Sequence, residues 1–173
     1  MINLENQATA ISDSGKSASK TVTITRDGQV ENVVLSYQRN LFSRGEVSEK
    51  TYYDVGLIGK EDSHYKPGYV GIKDSNCIAF ELDLSEHKTL ILDIGDGASV
   101  DPAPDHPRYL GVWPEFRDYM QSETAITYKT WQPNNVPKQD SVKIDVSKIT
   151  GVKYVEIFGG YSTETYVVNL YLV

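Results

Sequence analysis

Short segments rich in β-branched and aromatic residues follow one another along almost the whole chain, separated by Gly, Pro, Asp, Asn and Ser. The first group of residues favours extended backbone and the second favours turns. "KTVTITR" and "VENVVLSYQ" flank the Asp-Gly pair at 27–28, which predicts a hairpin. Eight further strands are predicted at 52–59, 69–73, 77–84, 88–95, 124–131, 141–146, 152–158 and 165–173.

Several of these segments alternate between apolar and polar residues. In "CIAFELDL" the residues Ile78, Phe80 and Leu82 share one face, while Glu81 and Asp83 point to the other. Such alternation indicates antiparallel sheets with one buried face and one wetter face. The sequence offers at most one short helix, predicted at 114–121. We therefore predict an all-β chain that folds as an antiparallel β-sandwich or jelly roll.

The 173 residues suit one domain. Residues 1–19 are polar, rich in Ser and Ala, and without periodicity, so we interpret them as a flexible lead-in or linker. Residues 20–173 are predicted to form a single β-sandwich domain. "MINLENQATA" lacks the basic start and apolar run of a secretion signal, which a piece of a longer chain would not need.

Charge and composition narrow the classes of partner. The formal net charge is −7, so phosphate backbones and anionic membrane surfaces would be repelled. The apolar runs are too short for membrane insertion. One cysteine, Cys77, permits neither an intrachain disulfide nor a cysteine-based metal site. Uncharged sugars and cations remain suitable ligands.

The stretch "DIGDGASVDPAPDHPRYLGVW" (93–113) gathers polar and aromatic residues between predicted strands, and we interpret it as a long connection stiffened by prolines. It carries no Gly-x-Ser-x-Gly elbow and no paired histidines, so we do not expect an enzyme. Carboxylates in loops can bind calcium. A structural calcium ion is therefore one prediction and solvated turn residues are the alternative, for Asp96, Asp101 and Asp105.

A neutral glycan is bound when an aromatic ring stacks on the apolar face of the sugar and a few polar groups bind its hydroxyls. No cofactor is required for this. Two candidate rings have structural alternatives, since Trp131 could close the core and Trp113 could anchor the connection; Tyr161, between glycines and polar residues, is expected to be exposed. The candidate ligand-binding residues are Asp96, Asp101, Asp105, His106, Arg108, Tyr109, Trp113, Trp131 and Tyr161.

Two longer segments resemble the NPCBM family (novel putative carbohydrate-binding module). "KDSNCIAFELDLSEHKTLILDIGDG" (73–97) is similar to the family segment in which a Ser-bearing turn precedes a strand ending in "DLS". "SVKIDVSKITGVKYVEIFGGYSTETYVVNLYL" (141–172) resembles the end of the family, with Asn169 as the polar counterpart of its closing acid and tryptophan. "TYYDVGLIGK" (51–60) is a looser match, with Lys60 where the family has histidine.

The resemblance implies a galactose-binding-like jelly-roll sandwich that serves as an accessory module beside glycoside hydrolases. It implies a non-catalytic role whose partner is a glycan or cell-surface polysaccharide, with neighbouring modules of a larger protein as further partners. We expect an extracellular, cell-surface or virion-associated location. The alternative is a structural, assembly or receptor-binding sandwich of a phage tail or cell-surface complex, which the 12 tyrosines suit equally well.

Overall fold

The computed structural model describes residues 20–26, 29–35, 38–73, 75–94, 108–116, 122–131, 140–160 and 164–173. These contain thirteen strands and one 3₁₀ turn at Ser122–Thr124. The strands are β1 (Lys20–Arg26), β2 (Gln29–Leu35), β3 (Arg39–Ser43), β4 (Glu46–Val47), β5 (Tyr53–Asp54), β6 (Val70–Ile72), β7 (Cys77–Asp83), β8 (Thr89–Ile94), β9 (Arg108–Trp113), β10 (Thr127–Trp131), β11 (Asp140–Asp145), β12 (Val152–Phe158) and β13 (Thr165–Leu172).

All strand pairs are antiparallel and fall into three sheets. Strands β1 and β2 pair with each other as a two-stranded sheet, in the hairpin register expected from the Asp-Gly turn. A five-stranded sheet has the order β10-β9-β12-β7-β5. A six-stranded sheet has the order β11-β8-β13-β3-β4, with β6 also paired to β13.

The core lies between the five-stranded and six-stranded sheets. Phe80, Leu110 and Ile157 project into it from the first sheet and meet Phe42 and Leu92 from the second. Alternation sends the neighbours of these residues to the outer surfaces. The prediction of an all-β antiparallel sandwich with hardly any helix is thus confirmed. The jelly-roll topology of the galactose-binding-like fold stays a prediction.

The sequence-based interpretation of 93–113 as one long connection is wrong at its C-terminal end. Residues 108–113 form β9, which lies inside the five-stranded sheet between β10 and β12. Two features hid this strand. Gly111 interrupts its alternation, and the prolines on both sides resemble loop punctuation.

Smaller differences concern the ends of other elements. The strand predicted at 52–59 contracts to Tyr53–Asp54, and the hairpin of β3 and β4 was not predicted. That hairpin turns at Arg44 and Gly45, both with positive φ, as a two-residue turn of primed type requires. The helix predicted at 114–121 is not helical at 114–116, and 117–121 lie outside the described residues.

Candidate functional site

The outer surface of the five-stranded sheet is lined with aromatic side chains. Leu110 and Val112 of β9 are in the core, so Tyr109, Gly111 and Trp113 point outward. The same alternation on β12 sends Tyr154, Glu156 and Phe158 outward. We call this surface the aromatic face and define it by Tyr52, Tyr53, Tyr109, Trp113, Phe116, Tyr128, Tyr154 and Phe158.

One group of rings gathers where β5 lies beside β7. Tyr52 packs on Tyr154 with ring centroids 4.9 Å apart and on Phe116 at 5.1 Å, edge to face in both cases. Tyr53 also packs on Phe116, with ring centroids 4.7 Å apart. Aromatic pairs at these distances and angles attract each other beyond the area that they bury. The rings are therefore held as a fixed set rather than moving independently.

A second group of rings lies at the opposite side of the sheet, on β9, β10 and β12. Tyr109 packs against Tyr128 at 5.7 Å and against Phe158 at 6.3 Å. Tyr128 and Tyr109 lie on neighbouring strands, two residues out of register, because Tyr128 pairs with Gly111 and Tyr109 pairs with Thr130. The strand order of the sheet therefore separates this second group of rings from the first group.

Between the two groups of rings, the indole of Trp113 lies over Gly111 and fills the centre of the aromatic face. A Cβ atom at Gly111 would stand 2.3 Å from Trp113 Cη2, so no larger residue fits beneath the ring as it lies. Trp113 is 3% exposed, whereas Tyr52 is 50% exposed and Tyr128 is 41% exposed. The aromatic face therefore has an exposed ring near each side and a packed centre.

Carboxylates stand among these rings. The Tyr154 hydroxyl donates a hydrogen bond of 2.9 Å to Oε2 of Glu81, on the neighbouring strand β7. This bond to a carboxylate favours the neutral phenol and raises the pKa of Tyr154 to about 12. Glu156, which pairs with Gly111 and Ala79, is 2% exposed. Two carboxylate side chains, Glu81 on β7 and Glu156 on β12, therefore lie on the aromatic face among the rings.

Arg108, predicted as a ligand-binding residue, is inside the protein and 2% exposed. Its Nε donates to the Thr165 hydroxyl, which in turn donates to the carbonyl of Gly159. Burial lowers the pKa of Arg108. The Arg108 side chain thus connects β9 to the start of β13 across the sandwich, which is a structural role.

The other predicted residues divide into three groups. Tyr109 and Trp113 lie on the aromatic face, the first half-buried and the second packed over Gly111. Trp131 belongs to the core, which agrees with the structural alternative for that residue. Five predicted residues lie outside the described part of the chain, so their roles in binding glycan or calcium stay predictions: Asp96, Asp101, Asp105, His106 and Tyr161. Within the described part, no group of His, Cys, Asp or Glu could hold a metal ion.

The sequence-based reasoning missed Tyr52, Phe116, Tyr128 and Tyr154 as candidates. It considered rings in loops, whereas two of these four, Tyr128 on β10 and Tyr154 on β12, follow from strand alternation and pairing. The excess of tyrosine was the available signal. Knowing which tyrosines share a face required the register between β10, β9 and β12, because those strands are far apart in sequence.

The outer surface of the six-stranded sheet carries polar side chains that form hydrogen bonds with one another. A row of hydrogen bonds crosses four strands: Ser141 Oγ and Asn169 Nδ2 each donate 2.8 Å bonds to Asp93, and Ser43 Oγ donates to Asn169 Oδ1 at 3.3 Å. A shallow depression of about 610 Å³ lies at the β3–β4 turn, lined by Asn40, Ser43, Arg44, Glu46 and Ser48. The two outer faces of the sandwich therefore differ sharply in chemistry.

A third cluster fixes the loop 59–69 to the start of β13. His64 Nδ1 lies 2.6 Å from Glu164 Oε1, and the Tyr166 hydroxyl donates a 2.7 Å bond to the other oxygen of that carboxylate. Lys66 Nζ sits 4.1 Å from the centre of the Tyr166 ring. Burial and the Glu164 carboxylate raise the pKa of Tyr166. These contacts connect the loop to β13.

Comparison of the chain with known proteins found no matching family model, no matching curated protein and no matching solved structure. The resemblance to the NPCBM family therefore stays a prediction. In the described part of the chain, none of the helical residues forms a stretch long and apolar enough to cross a bilayer.

Proposed function

We propose that this protein is a non-catalytic carbohydrate-binding module that holds a neutral glycan on the aromatic face. The observation that carries the proposal is the pair of exposed rings, Tyr52 and Tyr128, on one outer face that also carries the Glu81 carboxylate. This combination supplies stacking on the apolar face of a sugar and acceptors for its hydroxyls. Binding of this kind requires no cofactor.

The supporting contacts keep the exposed rings in place before a ligand arrives. Tyr52 rests on Tyr154 and Phe116, and Tyr128 rests on Tyr109. Because the rings are already ordered, little side-chain entropy is lost on binding. Few polar groups are desolvated on an open face, so we expect dissociation constants of about micromolar to millimolar. Repetition of the module in an assembly would raise the apparent affinity.

The location proposed with this function is extracellular, on a cell surface or on a virion, where glycans are the accessible ligands. The net charge of −7 is compatible with uncharged polysaccharides and opposes binding to nucleic acid. A structural calcium ion at Asp96, Asp101 and Asp105 belongs to this proposal as a separate element.

An assembly module is the second candidate, and exposed aliphatic residues favour it. Ile126 precedes β10, Val55 follows β5 and Val152 begins β12, and all three are exposed. Together with Tyr52 and Tyr128 they border the same sheet. Apolar side chains of this kind on one sheet surface suit contact with another protein.

A glycan array probed with the purified protein, with and without calcium, tests the proposal. We expect binding to neutral glycans that is weakened in Tyr52→Ala and Tyr128→Ala. Tyr171→Ala is the matched control, since Tyr171 lies on the outer side of the six-stranded sheet opposite Ile91. Light scattering after size-exclusion chromatography is run in parallel. No glycan signal under either condition would overturn the proposal, and tyrosine-dependent self-association would support the assembly module.

A further inference from the structure

The exposed rings of the aromatic face are too far apart to be reached by one sugar. Tyr128 is on β10 and Tyr52 immediately precedes β5, at the opposite edge of the described five-stranded sheet. Four strand spacings separate them, or about 19 Å between Cα atoms at the usual spacing of roughly 4.8 Å per strand. The Tyr52 ring packs on Tyr154 of β12, so the two exposed rings are closer to each other than their Cα atoms, but Tyr154 is itself two strand spacings, or about 10 Å, from β10. One pyranose ring is narrower than this.

The rings between these two ends form steps across the strands. Tyr109 is on β9 beside Tyr128, and Tyr154 is on β12 beside Tyr52, with centroids 5.7 Å and 4.9 Å apart respectively. Gly111 pairs with both Tyr128 and Glu156, so Tyr154 is two strands and two residues from Tyr128. The ring positions therefore run across the sheet rather than along one strand.

The centre of the aromatic face favours a ligand that lies on it over one that inserts into it. Trp113 fills the space above Gly111, and its indole is 3% exposed. Glu156 beside it is 2% exposed. A site with a packed centre and exposed rings near its two sides offers contacts to a chain that spans it, and offers only one ring group to a single sugar.

We infer that the ligand is an extended oligosaccharide that crosses the strands, with one sugar stacked on Tyr128 and another on Tyr52. This inference rests on the proposed function and adds the minimum length of the ligand. Two stacking positions on one chain act together, because binding at the first raises the local concentration of sugar at the second. A short fragment reaches only one of the two stacking positions, so its affinity is not raised in this way.

Ladders of neutral β-1,4-linked glucan, xylan and mannan oligosaccharides, from one sugar to about six, test the inference by isothermal titration calorimetry. We expect affinity to rise by about tenfold or more with length and then to level off, once both rings are covered. With the longest binding oligosaccharide, Tyr52→Ala and Tyr128→Ala are each expected to lose about three- to tenfold in affinity. Tyr171→Ala is expected to leave the affinity unchanged, and thermal melts verify that each variant is folded.

The outcomes separate this inference from the function on which it rests. For a disaccharide, which can reach one ring, at most one of the two substitutions should weaken binding. A single sugar that binds as tightly as the longest oligosaccharide would overturn the inference and leave glycan binding intact. The inference would also be overturned, with glycan binding intact, if none of the three ladders bound while the array showed binding to another glycan. A blank array would overturn the proposed function itself.

Discussion

At the scale of single residues, Gly111 has the most demanding position on the aromatic face. Nothing in its backbone conformation requires glycine, because its φ is not in the left-handed region. The demand is one of space: Trp113 Cη2 and Cζ3 would lie 2.3 and 2.5 Å from an added Cβ. A real Cβ contact is never that short, so a side chain here must displace the indole. Gly111 thus determines where Trp113 can lie.

Gly111→Ala is expected to lower the free energy of unfolding by about 1–3 kcal/mol, the usual cost of overpacking. Urea denaturation measures it. The matched test is a double-mutant cycle with Trp113→Leu, since removing the indole removes the two nearest atoms that an added Cβ would meet and leaves the third nearest, Tyr128 Cβ, at 2.8 Å. Gly111→Ala should cost clearly less in that background. Equal costs in both backgrounds would show that the contact with Trp113 does not limit this position.

At the scale of elements, the strands with clean alternation could be predicted from the sequence. The segments 77–84, 88–95 and 152–158 were placed within a residue or so at each end, because each buries one face and exposes the other. Strand β9 has the same inner alternation, in Leu110 and Val112, but Gly111 and the flanking prolines masked it. The lesson is that glycine in a strand can mark packing rather than a turn.

Pairing between distant strands could not be predicted in the same way. Alternation says which residues share a face of one strand, but the register of β12 with both β7 and β9 decides which faces join. The sequence therefore gave no reason to place Tyr52, from the segment before β5, beside Tyr154 of β12. That contact, with ring centroids 4.9 Å apart, is the central contact of the first group of rings.

Amide hydrogen exchange followed by mass spectrometry checks the position of β9. As an interior strand bonded on both sides, to β10 and β12, it should exchange slowly along 109–112, and β12 should exchange slowly for the same reason. The edge strand β10 should exchange faster than β9. A peptide covering 108–113 that exchanges as rapidly as the β3–β4 turn would contradict the sheet order and restore the interpretation as a connection.

At the scale of the whole molecule, the two outer faces of the sandwich carry different chemistry. The face of the six-stranded sheet carries a row of hydrogen bonds between its own side chains, centred on Asp93 and Asn169. The aromatic face of the five-stranded sheet exposes uncharged rings, which can stack on a ligand but cannot form ion pairs. The glycan that we propose as the ligand is apolar on one side and hydroxylated at its edges, which suits the second face.

Salt dependence distinguishes this mode of binding from recognition by charge. The chain carries a net charge of −7, so an anionic polysaccharide would be repelled at low ionic strength and would bind more tightly as salt is added. A neutral glycan held by stacking and hydrogen bonds meets no such repulsion. Between about 0.05 and about 0.5 M NaCl its affinity should change by less than about twofold. Calorimetric titration at both salt concentrations measures this, and a marked rise or fall would mean that ionic contacts, not the aromatic face, dominate binding.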